Sequence, residues 1–136
     1  MPKEDYLLKY LEKLSRVIAA MLGLREKGFP EDALRLADET YKELLSLDLY
    51  VIASMPVADF DTLIRKLGYS STYIEALAKL ALETTYCYAE TGEKPKMRIF
   101  GEKALLLYRL LNEQDKTFSF EREVIITQLN DLIDSH

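Results

Sequence analysis

The chain has 136 residues, 49% of them hydrophobic and 30% charged, with a net charge of −5. That length suits one domain and buries enough surface to fold without disulfides or metals, and the composition excludes a disordered chain. The acidic balance, with Lys and Arg scattered among acids, argues against nucleic-acid binding, which rests on a basic surface that releases counterions.

Met1-Pro2-Lys3-Glu4-Asp5 is of mixed charge and lacks the basic start and apolar run of a secretion signal. A cytoplasmic location is therefore expected, and the lone Cys87, unable to form an internal disulfide, is compatible with it. From Glu4 to Lys27, Leu7, Leu11, Leu14, Ile18 and Met21 recur at spacings of three and four, with Tyr10, Val17 and Leu24 on an adjacent face, which predicts a helix. Its apolar run Val17 to Leu24 lies between two arginines and falls far short of the roughly 20 residues of a membrane span. Gly28 supplies a left-handed cap and Pro30 the start of a second helix, to Leu47. Ala33, Ala37, Tyr41, Leu44 and Leu45 form its apolar face, and so short a connection makes the pair antiparallel.

Leu49 to Ala53 is rich in β-branched and aromatic residues, but a single strand would have no partner, so a short buried helix is expected. Pro56 breaks it, and Val57 to Leu67 reads as another short helix capped at Gly68. Thr72 and Glu75 have capping-box spacing at the head of a long helix, where hydroxyl and carboxylate each reach a free backbone N–H. Ile74, Leu77, Ala78, Ala81, Thr85 and Tyr88 trace its apolar face as far as Thr91. Gly92 and Pro95 repeat the logic of Gly28 and Pro30, opening a helix to Glu113 through Met97, Phe100, Ala104, Leu107 and Leu111. Gly101 in its interior costs helix stability, which points to close approach of a neighbour. A last helix, 119–134, uses Val124, Ile125, Leu129, Leu132 and Ile133. The expected organisation is one domain over 1–136, with hairpins at 4–47 and 70–113, short helices at 49–67 and the C-terminal helix.

Two stretches resemble each other. Gly28-Phe29-Pro30-Glu31-Asp32-Ala33 and the run from Gly92 to Ala104 each place an inter-helix glycine before a helix bearing a small residue, with Tyr88 ahead of Gly92. In these features the chain resembles tetratricopeptide-like (TPR-like) helical-hairpin proteins. The resemblance implies an all-α fold of about five to seven helices, antiparallel hairpins stacked as an α–α superhelix. The first unit departs from the pattern, with Leu24 in place of the aromatic and Thr40 in place of the later alanine, and the two glycines are 64 positions apart, which excludes a regular tandem array. More broadly, Asp5-Tyr6-Leu7-Leu8 through Met21-Leu22-Gly23-Leu24, then Ala33-Leu34 and Tyr41 to Asp48, resemble a family of small uncharacterised bacterial domains. That likeness implies a fold and transfers no functional residues.

Chemistry is sparse. The only histidine is the terminal His136, which excludes Ser-His-Asp and Cys-His catalysis and His-bearing metal sites, and five isolated glycines form no phosphate loop. No catalytic residue, metal site or cofactor is predicted. Asp38, Glu39 and Glu43 share their helix with Arg35 and Lys42 at spacings that suit solvated ion pairs. Cys87 reads as a small buried hydrophobe, since a reactive thiol needs a basic neighbour and none stands near it in sequence.

Nine tyrosines without a tryptophan are the compositional oddity. Tyr10, Tyr41, Tyr88 and Tyr108 lie on or beside apolar faces and read as core. Tyr86 falls with Glu75, Lys79, Glu83 and Glu90 on the polar face of its helix, and the row Lys79, Glu83, Tyr86, Glu90 is the candidate interaction strip, projecting outward. The reading is a non-enzymatic protein–protein interaction or scaffold domain receiving a peptide, a partner helix or a second copy of itself. The alternative is a small-molecule binder or enzyme using Tyr and Glu in an inter-helix pocket. The adjacent Val124-Ile125-Ile126 cannot share one helix face, so the last helix is buried on more than one side or touches another chain.

Overall fold

A computed structural model describes residues 3–116 and 118–135, with side chains from Leu8 onward; His136 and the side chain of Leu7 lie outside the described residues. Among them the chain forms seven helices and no strand: α1 Lys3–Glu26, α2 Pro30–Leu45, α3 Leu49–Ser54, α4 Val57–Leu67, α5 Ser71–Thr91, α6 Lys94–Gln114 and α7 Phe120–Asp134. No described helix is long and apolar enough to cross a membrane.

The two hairpin turns are the same device. Gly28 and Gly92 adopt φ of 87° and 78°, a left-handed backbone that glycine enters without a Cβ penalty. Phe29 N donates to Leu24 O at 2.8 Å and Gly28 N to Arg25 O at 3.0 Å; Glu93 N donates to Tyr88 O at 3.1 Å and Gly92 N to Ala89 O at 3.3 Å. Both are Schellman closures, and in each the next helix begins with proline in its first two positions.

Contacts near matched helix ends give the directions. Arg25 in the last turn of α1 meets Glu83 and Glu90 in the second half of α5, so these helices run parallel. Arg122 in the first turn of α7 meets Glu75 in the first half of α5, so α7 runs the same way. The returning helices α2 and α6 pack beside them, Tyr41 of α2 bonding Thr84 of α5 at 3.2 Å. The short helices lie on the α2 and α6 side, where Lys103 of α6 donates to Met55 O at 2.7 Å and Arg65 of α4 pairs with Glu113 at 3.1 Å.

The expected apolar faces of α5 and α6 are buried residue for residue. Gly101 is needed for packing: a Cβ there would sit 3.0 Å from Ile133 Cδ1 of α7 and 3.5 Å from Thr85 Cγ2 of α5. Four expectations are corrected. First, α2 ends at Leu45, because Ser46 turns into the left-handed region at φ 58°. Second, α3 is a helix but not a fully buried one: only Ile52 is buried, Leu49 and Ala53 pack partly against the core, and Tyr50 is 79% and Val51 40% exposed. Third, the cap of α5 is Ser70, whose hydroxyl accepts from Tyr73 N, so Thr72 is already helical and Glu75 is free to pair with Lys79 and Arg122. Fourth, Tyr10 is half-exposed, unlike Tyr41, Tyr88 and Tyr108. On α7 only Arg122 and Leu129 are buried; Ile125 and Ile126 pack partly against the core and Val124 stays exposed.

Candidate functional site

Helix α5 is the centre of the stack, contacted by α1, α2 and α6, so most of its circumference is covered. What it leaves open is a narrow stripe at helical spacing: exposed Lys79 and Glu90, with half-buried Glu75 and Tyr86. An arginine from a flanking helix closes over each end of the stripe.

At one end the last turn of α1 delivers Arg25, whose Nε and Nη2 each donate to a Glu83 carboxylate oxygen at 3.0 Å. Its Nη1 lies 3.5 Å from Glu90, and its guanidinium carbon 5.1 Å from the centroid of the Tyr86 ring. This fork satisfies a carboxylate only 8% exposed. The geometry is bidentate and charge-assisted, the strong form of this contact. The hydrogen bonds it donates to Glu83 hold the Arg25 guanidinium far above its ordinary range, against the opposing effect of burial. Burial lifts the Tyr86 hydroxyl, with Arg25 pulling the other way. The expected row of four outward side chains is thereby corrected: Lys79 and Glu90 project, Tyr86 lies half-covered beside the arginine, and Glu83 points inward because Arg25 arrives from another helix.

At the other end stands Arg122, 6% exposed. Its Nη1 donates to Asn112 Oδ1 at 3.1 Å, while Nη2 lies 3.5 Å from Glu75 and 3.6 Å from Asp115. Ser119 caps α7 by accepting from Arg122 N, and the bond to Asn112 holds the arginine side chain against α6. A cavity of about 60 Å³ opens here, lined by Glu75, Lys79, Tyr108, Ser119, Glu121, Arg122 and Ile125. The Tyr108 hydroxyl borders it with no hydrogen-bond partner among the described residues. Burial raises the Tyr108 pKa, and the charges of Glu75 and Glu121 add to this.

The rest of the molecule offers little reactivity. Cys87 is fully buried, and burial pushes its thiol up to about 12. It has a basic neighbour that its sequence surroundings do not reveal, since Arg25 acts on it from α1, but desolvation wins and the thiol is inert. No group of three or more His, Cys, Asp or Glu among the described residues is arranged to hold a metal. Asp38 pairs with Lys42 at 3.0 Å as expected, and also accepts from Leu49 N at 2.9 Å, tying α2 to α3.

Sequence reasoning missed Arg122 and Lys103 as buried charges and Arg25 as a half-buried one. Arg25 lies in the last turn of α1 and Lys103 within α6. The partners Glu83, Met55 and Glu75 lie 47 to 58 residues away, beyond the reach of any local pattern. Comparison with protein-family models, curated proteins and solved structures finds nothing that matches this chain.

Proposed function

We propose that the chain is a non-enzymatic interaction domain, a tetratricopeptide-like stack whose open α5 stripe receives a peptide or helix of a partner protein. The observation that carries this reading is the layering: α1, α5 and α7 run parallel, and the additional helices α3 and α4 pad the α2 and α6 side. The stripe between α1 and α7 is left to a partner. Tyr86 offers a large ring whose position beside Arg25 is set before binding, so it loses little freedom on contact. The exposed carboxylates at the two ends of the stripe, Glu90 on α5 and Glu121 on α7, favour a partner with basic residues around an apolar anchor.

A photoreactive phenylalanine analogue at position 86 tests the idea, with the same group at exposed Lys66 on α4 as control. Irradiation in native extract should yield a crosslinked species from position 86 that position 66 does not give. Tyr86→Ala should weaken capture of that species by about 2 kcal/mol, the loss typical of an aromatic hot spot. Identical crosslinks from both positions, or none from 86, would refute the stripe as a binding surface. A crosslink of twice the chain mass would identify the partner as a second copy.

A further inference from the structure

We propose that the cavity at the junction of α5, α6 and α7 binds a small zwitterion carrying a carboxylate and an ammonium group, the main-chain head of a free amino acid. The first observation is the Tyr108 hydroxyl, 1% exposed and without a partner among the described residues while it borders the cavity. An unsatisfied buried hydroxyl costs folding free energy, and phenylalanine would fill the same volume without that cost. The hydroxyl is thus an unpaired donor on a residue of the cavity wall.

Arg122 is the second observation. Its Nη2 contacts with Glu75 and Asp115 are 3.5 and 3.6 Å, and Lys79 is 3.9 Å from Glu75. Charge-assisted hydrogen bonds are about 2.7–2.9 Å, so both cations retain donor capacity. They stand beside the first turn of α7, where the helix end adds partial positive charge. A ligand carboxylate therefore meets Tyr108, Arg122 and Lys79. The acceptors Glu75 and Glu121 stand on the same cavity and suit an ammonium. A simple anion would face these two carboxylates unaided, and a simple cation would face Arg122 and Lys79; a zwitterion satisfies both sets. Size sets the limit: at about 60 Å³, against roughly 10–15 Å³ for a single water, the space holds the head of an amino acid, and a larger side chain would leave over exposed Lys79.

This inference is independent of the peptide-binding reading, and its test needs no partner protein. Glycine and L-alanine are titrated by calorimetry and amide-resolved NMR, with acetate and methylammonium as single-charge controls. Saturable binding of glycine or alanine is expected, with shifts at Tyr108, Ser119 and Arg122, and with both controls weaker by about tenfold or more, as befits loss of a charged hydrogen bond. Tyr108→Phe should lose about tenfold in glycine affinity while its Tm equals or exceeds that of the parent, a combination that a purely structural tyrosine would not give. Absence of binding at millimolar glycine and alanine would overturn the proposal, as would acetate binding as tightly as glycine or Tyr108→Phe binding glycine unchanged.

Discussion

Glu83 and Arg25 are a charge pair taken largely out of water, joined by two bonds of 3.0 Å. Such a pair contributes little net stability over an apolar replacement, but breaking it strands the remaining charge. Arg25→Ala should therefore cost about 3 kcal/mol, and the double change Arg25→Met with Glu83→Leu should recover most of that loss. Urea unfolding of the three proteins is the check; equal losses in single and double variants would mean that packing of the arginine stem matters, not charge. At high pH the governing groups are buried acids. Burial lifts Cys87 from 9.0 up to about 12 and Tyr88 from 10.0 up to about 12, and it raises Tyr41 and Tyr108 as well. The unfolded chain loses these protons first, so the contribution is complete below pH 9 and declines as pH rises toward 12. The urea midpoint should fall across that window, and Cys87→Ala should fall less steeply; a midpoint independent of pH there would contradict the assignment. Burial of Tyr41, Tyr88 and Cys87 was legible from helical periodicity. The inward turn of Glu83 was not, because its partner stands 58 positions away.

Helix ends follow from short-range chemistry, and there the sequence is most informative. Gly28 with Pro30, and Gly92 with Pro95, specify closure and restart within a few residues, and both boundaries fall where the pattern places them. The start of α5 is harder, because Ser70, Ser71 and Thr72 present three hydroxyls in a row. Capping-box spacing favours Thr72 with Glu75, yet Glu75 is drawn toward Arg122 of α7, and Ser70 takes the cap. The two assignments separate by mutation: Ser70→Ala should lower stability by about 1 kcal/mol, while Thr72→Ala, at an exposed helical position, should stay within about 0.5 kcal/mol. Thermal unfolding decides, and a larger loss at Thr72 would restore the capping box. The misjudged burial of α3 has a similar origin. Leu49-Tyr50-Val51-Ile52 is apolar throughout, but six residues of helix lying against α2 and α6 turn only Ile52 fully inward.

At the scale of the molecule, burial is unevenly spread along the stack. Eleven residues of α5 and ten of α6 are buried, against two of α7. The alternation of directions was legible from short turns, which force neighbouring helices to be antiparallel. Which helices occupy the centre was not, because α1, α5 and α6 have similar apolar spacing, and it is the tertiary packing that surrounds α5 with α1, α2 and α6, and α6 with α3, α4, α5 and α7. The consequence is a gradient of local stability, since opening a terminal helix exposes less apolar surface than opening the central pair. Native-state hydrogen exchange should show the slowest amides in α5 and α6, intermediate ones in α2, and α7 exchanging by an opening well below the global unfolding free energy. The hold on α7 comes from buried Leu129, from Ile125, Ile126, Leu132 and Ile133 packed partly against the core, and from Arg122 bridging Asn112, Glu75 and Asp115. Arg122→Ala should then accelerate exchange in α7 while leaving the slowest amides of α5 unchanged apart from the global stability loss. Uniform protection through α7, or an equal acceleration everywhere, would mean that the stack unfolds as one unit and that α7 belongs to its core.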